Sequence, residues 1–171
     1  MNIRNLCLLT LGLLAIGTVP VAAQEKLGDF VTQYGYDWVL GKWAATDNEG
    51  QRVEVNYKWG LDKHIVLMDF RMGDFTFHGM TMLAASSEEV VLAGADNQGG
   101  IWKGTWGDNY GDAVLKAEGV QADGETQKVE IVHRNLDAKT IKISIYGLDS
   151  WGYRDAEPWS TLTCKRQSRK K

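Results

Sequence analysis

The chain has 171 residues, 44% of them hydrophobic and 24% charged, with a formal net charge of −3. Those proportions suit one globular domain and exclude a collagen, a coiled coil or a disordered polyelectrolyte. A pI near 5.6 argues against a nucleic-acid partner, since dedicated nucleic-acid binders present a basic surface.

Met1–Ala23 reads as a secretory signal peptide. Arg4 supplies the positive start, Leu8 to Ile16 the apolar core, and Val21-Ala22-Ala23 the small residues before a cut at Gln24. The apolar run is short for a membrane span and is broken by Gly12, Gly17 and Pro20. An uncleaved anchor is the alternative, and the expected mature protein has no transmembrane segment. Removing residues 1–23 takes one Arg and no acid, leaving 18 basic against 22 acidic residues and a net charge of −4. It leaves one proline, Pro158, and one cysteine, Cys164, so no internal disulfide is available. The implied compartment is periplasmic or extracellular.

In residues 25–36, Leu27, Phe30, Val31 and Tyr34 recur at helical spacing and predict a short amphipathic helix. After it the period changes to two. Val53, Val55, Tyr57 and Trp59 alternate with charged or polar neighbours, as do Val129, Ile131 and His133, and Ile141, Ile143 and Ile145. Ten strands follow at 38–46, 51–60, 63–72, 75–85, 89–96, 101–107, 112–121, 126–135, 139–148 and 159–166. With short connections throughout, they predict an all-β, antiparallel, up-and-down barrel over residues 37–166. Residues 24–171 form one domain on this reading, ending in a basic tail at 167–171.

Turn chemistry predicts registers. Gly73-Asp74 suits a two-residue hairpin, which sets Phe70 opposite Phe77, Met68 opposite Gly79 and Asp69 opposite His78. A Leu61-Asp62 loop pairs Trp59 with His64, Tyr57 with Val66 and Val55 with Met68. The turn around Gln98-Gly99 pairs Ala95 with Trp102, Ala93 with Gly104 and Val91 with Trp106. A three-residue loop at 136–138 pairs His133 with Ile141. At 122–125 a three-residue loop pairs Leu115 with His133. A strict Asp-Gly turn there would instead swing Lys116 and Glu118 to the apolar face, because a one-residue slip reverses every side chain.

Alternation alone does not separate a barrel apolar within from an outer-membrane barrel apolar without. Connections that are short apart from a single longer one, Ser150–Pro158, and the basic C-terminus favour the first. Gly41-Lys42-Trp43 on the first strand resembles the Gly-x-Trp that opens lipocalins and related calycin-type barrels. The resemblance implies that a basic residue of the last strand packs over that Trp, and Arg166 occupies that place. Tyr57-Lys58-Trp59, Asp62 to Phe70, Asp96-Asn97-Gln98-Gly99-Gly100 and Gly104-Thr105-Trp106 follow in an order similar to that of secreted bacterial lipocalin-like domains. That resemblance covers roughly residues 37–166 and implies a barrel and export, with no catalytic residue.

No Gly-x-Ser-x-Gly, His-Glu-x-x-His, Cys-x-x-Cys, Walker or EF-hand sequence is present. Cys164 reads as a small core residue. His133 and His64 are expected to point inward, where an imidazole could hydrogen-bond Tyr57, orient a polar ligand or ligate haem iron, as in the barrels called nitrobindins. Asp69 opposite His78 reads as a solvated cross-strand pair, with a general base as its alternative. Trp43 and six further aromatics are assigned to the inner face. The expected function is non-catalytic binding of a small, largely apolar molecule against Tyr57, Trp59, His64, Phe70, Phe77, Trp102, Trp106 and His133. No metal or cofactor is expected, haem being the alternative. The alternative functions are an enzyme using the barrel as a chamber, through Lys116 with Glu118 or Asp69 with His78, and a structural or outer-membrane barrel.

Overall fold

The computed structural model describes residues 26–84 and 89–168. The signal-peptide expectation at residues 1–23 lies outside the described residues, as does the end of the basic tail. A short helix, α1 (Leu27–Gln33), precedes ten strands: β1 (Gly41–Thr46), β2 (Arg52–Gly60), β3 (Ile65–Met72), β4 (Phe75–Ala84), β5 (Glu89–Asp96), β6 (Ile101–Asn109), β7 (Asp112–Val120), β8 (Thr126–Asp137), β9 (Thr140–Gly147) and β10 (Ser160–Arg166). Each strand pairs antiparallel with its chain neighbours, and β10 pairs back with β1, so the sheet closes into a ten-stranded up-and-down barrel. The predicted elements are all present. The helix is shorter than expected and is followed by a 3-10 turn at Asp37–Val39.

The Gly73-Asp74 hairpin has the expected register, with Phe70 opposite Phe77 and Asp69 opposite His78. Three other hairpins keep the expected faces but slide by two residues. The β2–β3 loop runs from Leu61 to His64, so Trp59 meets Val66 and Tyr57 meets Met68. Its signal was hidden because Leu61, Asp62 and Lys63 take positive φ without glycine. The β7–β8 loop pairs Leu115 with Ile131 and Ala113 with His133, leaving Lys116 and Glu118 outward, beside Glu130 and Lys103. The β8–β9 turn is Ala138-Lys139, preceded by a bulge at Leu136, which sets His133 opposite Ile143.

The β5–β6 turn overturns a face. Asp96 Oδ1 accepts from the Gln98 and Gly100 amides, and Gly99 takes a positive φ, giving a three-residue loop with a left-handed residue. Trp102 therefore lies opposite Gly94 and Trp106 opposite Val90. Val90, Leu92 and Gly94 point inward. Val91, Ala93 and Ala95, expected inside, point outward.

The end of the barrel that carries the Gly73-Asp74 turn is packed solid. Phe77 is buried, with Phe70 and Trp102 packed against the same core. Bulky rings fit there because glycines stand beside them: a Cβ on Gly94 would lie 2.4 Å from the Phe77 ring, and one on Gly119 2.5 Å from the Trp102 ring. The Trp102 indole N–H donates to Asp96 Oδ2 at 2.8 Å, tying the filled end to its turn.

At the opposite end the Arg166 guanidinium lies 4.0 Å from the centre of the buried Trp43 ring, as the resemblance implies. It also donates to the carbonyls of Leu40 and Trp38, just before β1, and of Ala138 in the β8–β9 turn. Gly41 has φ of +124°, and a Cβ there would sit 2.5 Å from Arg166 Nη1. The Gly-x-Trp pattern thus has a local steric reason.

Candidate functional site

α1 covers the Arg166 end of the barrel. The helix stops at Gly35, whose positive φ permits a Schellman turn: the Gly35 amide donates to the Thr32 carbonyl and the Tyr36 amide to the Val31 carbonyl. That turn carries Tyr36 back over the rim, where its hydroxyl donates to Asp108 Oδ1 on β6. At the other end of the helix, Lys26 pairs with Asp62 at 2.6 Å, and Leu27 inserts its fully buried side chain. Gly28 lets the helix lie against the 61–63 turn, since a Cβ there would be 2.8 Å from Lys63 Cβ.

Beneath this cap the interior is hollow. A cavity of about 470 Å³ lies between the apolar face of α1, including Phe30 and Val31, and the inner walls of β2 to β7, including Tyr57, Val66, Val90 and Trp106. The size falls within the range of small-molecule pockets, roughly 300–1,000 Å³. Its polar points are few. The Trp106 indole N–H donates to Thr81 Oγ1 at 3.1 Å. The Tyr57 hydroxyl and His133 Nε2 share a hydrogen bond of 2.7 Å.

His133 sits behind Tyr57 and Trp106, its ring centre 5.8 Å and 5.3 Å from theirs. It is almost wholly buried, and its Nδ1 has no hydrogen-bond partner. Burial pushes its pKa from 6.5 down to about 4, against weaker opposing influences from the Ala113 and Ile131 backbone. The imidazole is therefore neutral at pH 7. Burial also drives the Tyr57 hydroxyl far above its usual range, so it stays protonated. An iron bound at Nε2 would have to displace the Tyr57 bond.

The structure brings some predicted site residues together and separates others. Tyr57 and Trp106 form cavity wall, with His133 behind them. Phe70, Phe77 and Trp102 belong to the filled end. Trp59 is partly buried against the core but is not cavity wall, and His64 is exposed on the β2–β3 loop. The residues that sequence reasoning missed are those of the cap: Phe30, Val31, Tyr34, Tyr36, Val39 and Leu40. Their signal was the apolar stripe of α1 itself, which needed a surface to cover.

The acid–base pairs considered from sequence lie elsewhere. His78 Nδ1 and Asp69 Oδ1 are 2.9 Å apart on the outer face. Partial burial raises the Asp69 carboxyl, but hydrogen bonds from His78, Lys58 and Asn56 outweigh it and hold Asp69 below the usual carboxylate range. Cys164 is buried, and burial pushes its thiol up to about 11, so it is a thiol and not a nucleophilic thiolate at pH 7. Among the described residues, no group of three or more His, Cys, Asp or Glu is placed to hold a metal ion. No protein-family model matches this sequence, and no curated protein sequence matches it.

Proposed function

We propose that this protein is an exported, lipocalin-like carrier that binds a small, largely apolar molecule in the cavity beneath α1, without catalysing its conversion. One observation carries the reading: the barrel is packed with side chains at one end and hollow at the other, and the hollow is roofed by the apolar face of a helix. A scaffold stabilised only by its core has no use for a cavity of this size, because an empty apolar void forfeits packing energy. Lys116, Glu118, Asp69 and His78 face away from the cavity, so the chamber enzyme loses the residues it was given. The outer wall carries ion pairs from β2 to β8, among them Lys58–Asp69, Lys103–Glu118 and Arg134–Asp112, a poor fit to a lipid-facing band. Closure of the barrel and the Gly41–Trp43–Arg166 arrangement support the lipocalin-like assignment, and residues 1–23 support export.

The test is native mass spectrometry of the protein expressed with its own leader and recovered from the exported fraction. A co-purifying apolar molecule is expected, and its mass should vanish from a Val90→Trp variant that fills the cavity. Titration with apolar fluorophores should quench tryptophan in the wild type and not in that variant. A wild type that carries no ligand and shows no quenching, while folded, would refute the proposal.

A further inference from the structure

We infer that the cavity selects its ligand by charge, accepting amphiphiles with a cationic or uncharged head and rejecting carboxylic acids. The inference rests on the binding reading above and adds the chemistry of the head group. The charged side chains on the wall are both acidic, Glu89 and Asp108, and no Lys, Arg or His is among the described lining residues.

Asp108 is the better defined of the two. Hydrogen bonds from the Tyr36 hydroxyl and the Gly111 amide hold its carboxyl below the usual range against the opposing effect of burial, and both bonds go to Oδ1. It is therefore ionised at any pH near neutrality. Its position at the rim, beside Tyr36 and above the apolar interior, is where the head of an inserted amphiphile would come to rest with its tail against Val66, Val90 and Leu27.

An anionic head at that point meets a fixed negative charge and, among the described lining residues, no cation. It would lose hydration without a compensating partner. A quaternary ammonium or amine head gains the Asp108 carboxylate and the rings of Tyr36, Tyr34 and Trp106, which also line the cavity. Aromatic faces combined with carboxylates suit such cations. An alcohol head loses little either way. Asp108 is exposed, so solvent moderates the discrimination, and a difference of about three-fold or more at low salt is the scale to expect.

Decyltrimethylammonium, decanol and decanoate share one tail, which makes them a clean probe set. Each is titrated below its micellar concentration into the full exported protein at low salt and pH 7, read by tryptophan fluorescence and calorimetry. The expected order of affinity is the ammonium, then the alcohol, then the acid. Asp108→Asn, which keeps an acceptor for Tyr36, should narrow the gap between ammonium and acid, and so should added salt. Decanoate binding as tightly as decanol would overturn the charge selectivity while leaving the carrier reading intact. A folded protein that binds none of the three would overturn both.

Discussion

Tyr57 and His133 meet across the barrel interior, 76 residues apart in the chain, through a 2.7 Å hydrogen bond at the boundary between the filled and hollow ends. The pair makes stability depend on pH in a defined direction. His133 has a native pKa of about 4 against an ordinary 6.5, so between those values only the unfolded chain takes up the proton. Its contribution is fully present above pH 6.5 and is lost as pH falls toward 4.

The whole shift corresponds to about 3 kcal/mol, of which about 2 kcal/mol should disappear between pH 6.5 and 5. Asp69, Asp96 and Asp108 have depressed pKa values, so their contributions are present above the ordinary carboxylate range and fall away only at lower pH. Urea unfolding across pH 5 to 7 separates the two groups. A Tyr57→Phe/His133→Leu double variant should give a flat profile there. A wild-type profile equally flat would mean that His133 is not buried in neutral form.

Arg166 offers a second test. Arg166→Lys keeps the charge over Trp43 but loses the planar donors that reach Leu40, Trp38 and Ala138. Part of the rim is then left with unpaired carbonyls, and a loss of about 2–4 kcal/mol is expected. Equilibrium unfolding reads it directly. If Lys proved equivalent, the ring contact at 4.0 Å would be the whole of the residue's contribution.

The filled end predicts a coupling. Gly94→Ala would place a Cβ 2.4 Å from Phe77 Cζ and 2.6 Å from the His78 carbonyl, and overpacking of this kind costs about 1–3 kcal/mol. Phe77→Leu alone should also destabilise. Combined, the two should cost less than their sum, because the smaller side chain makes room for the methyl group. Strict additivity in a double-mutant cycle would show that the His78 backbone, and not the Phe77 ring, sets the limit.

The same neighbourhood shows why sequence carried some features and not others. Strand positions and most faces were legible because alternation is local and the Gly73-Asp74 turn has a fixed geometry. The slides at Leu61–His64 and Ala138-Lys139 were not, since the first uses left-handed Leu, Asp and Lys and the second hides a bulge. The reversal of β5 turned on a single carboxylate, Asp96, deciding how many residues its turn contains. For the site, the aromatics expected on the inner face were not divided between Phe70, Phe77 and Trp102, which fill one end, and Tyr57 and Trp106, which border a cavity. That division depends on the glycines opposite them and on where α1 lands, neither of which any local pattern encodes.

Tyr36 tests whether α1 is a removable cap. Leu27 anchors the helix by burial, and outside that contact its polar ties are Lys26–Asp62 and Tyr36–Asp108. The first is exposed and worth little. Tyr36→Phe removes the second while keeping the ring that covers the cavity, so global stability should fall by no more than about 1.5 kcal/mol. Local opening should respond more than global unfolding does, because the cap shares few contacts with the ten-stranded wall. Hydrogen exchange should therefore quicken at the amides of Phe30, Val31 and Tyr34 and stay unchanged in β7 to β9. Equal acceleration in those strands would show that the helix and the barrel open as one unit, and a ligand would then have to enter by another route.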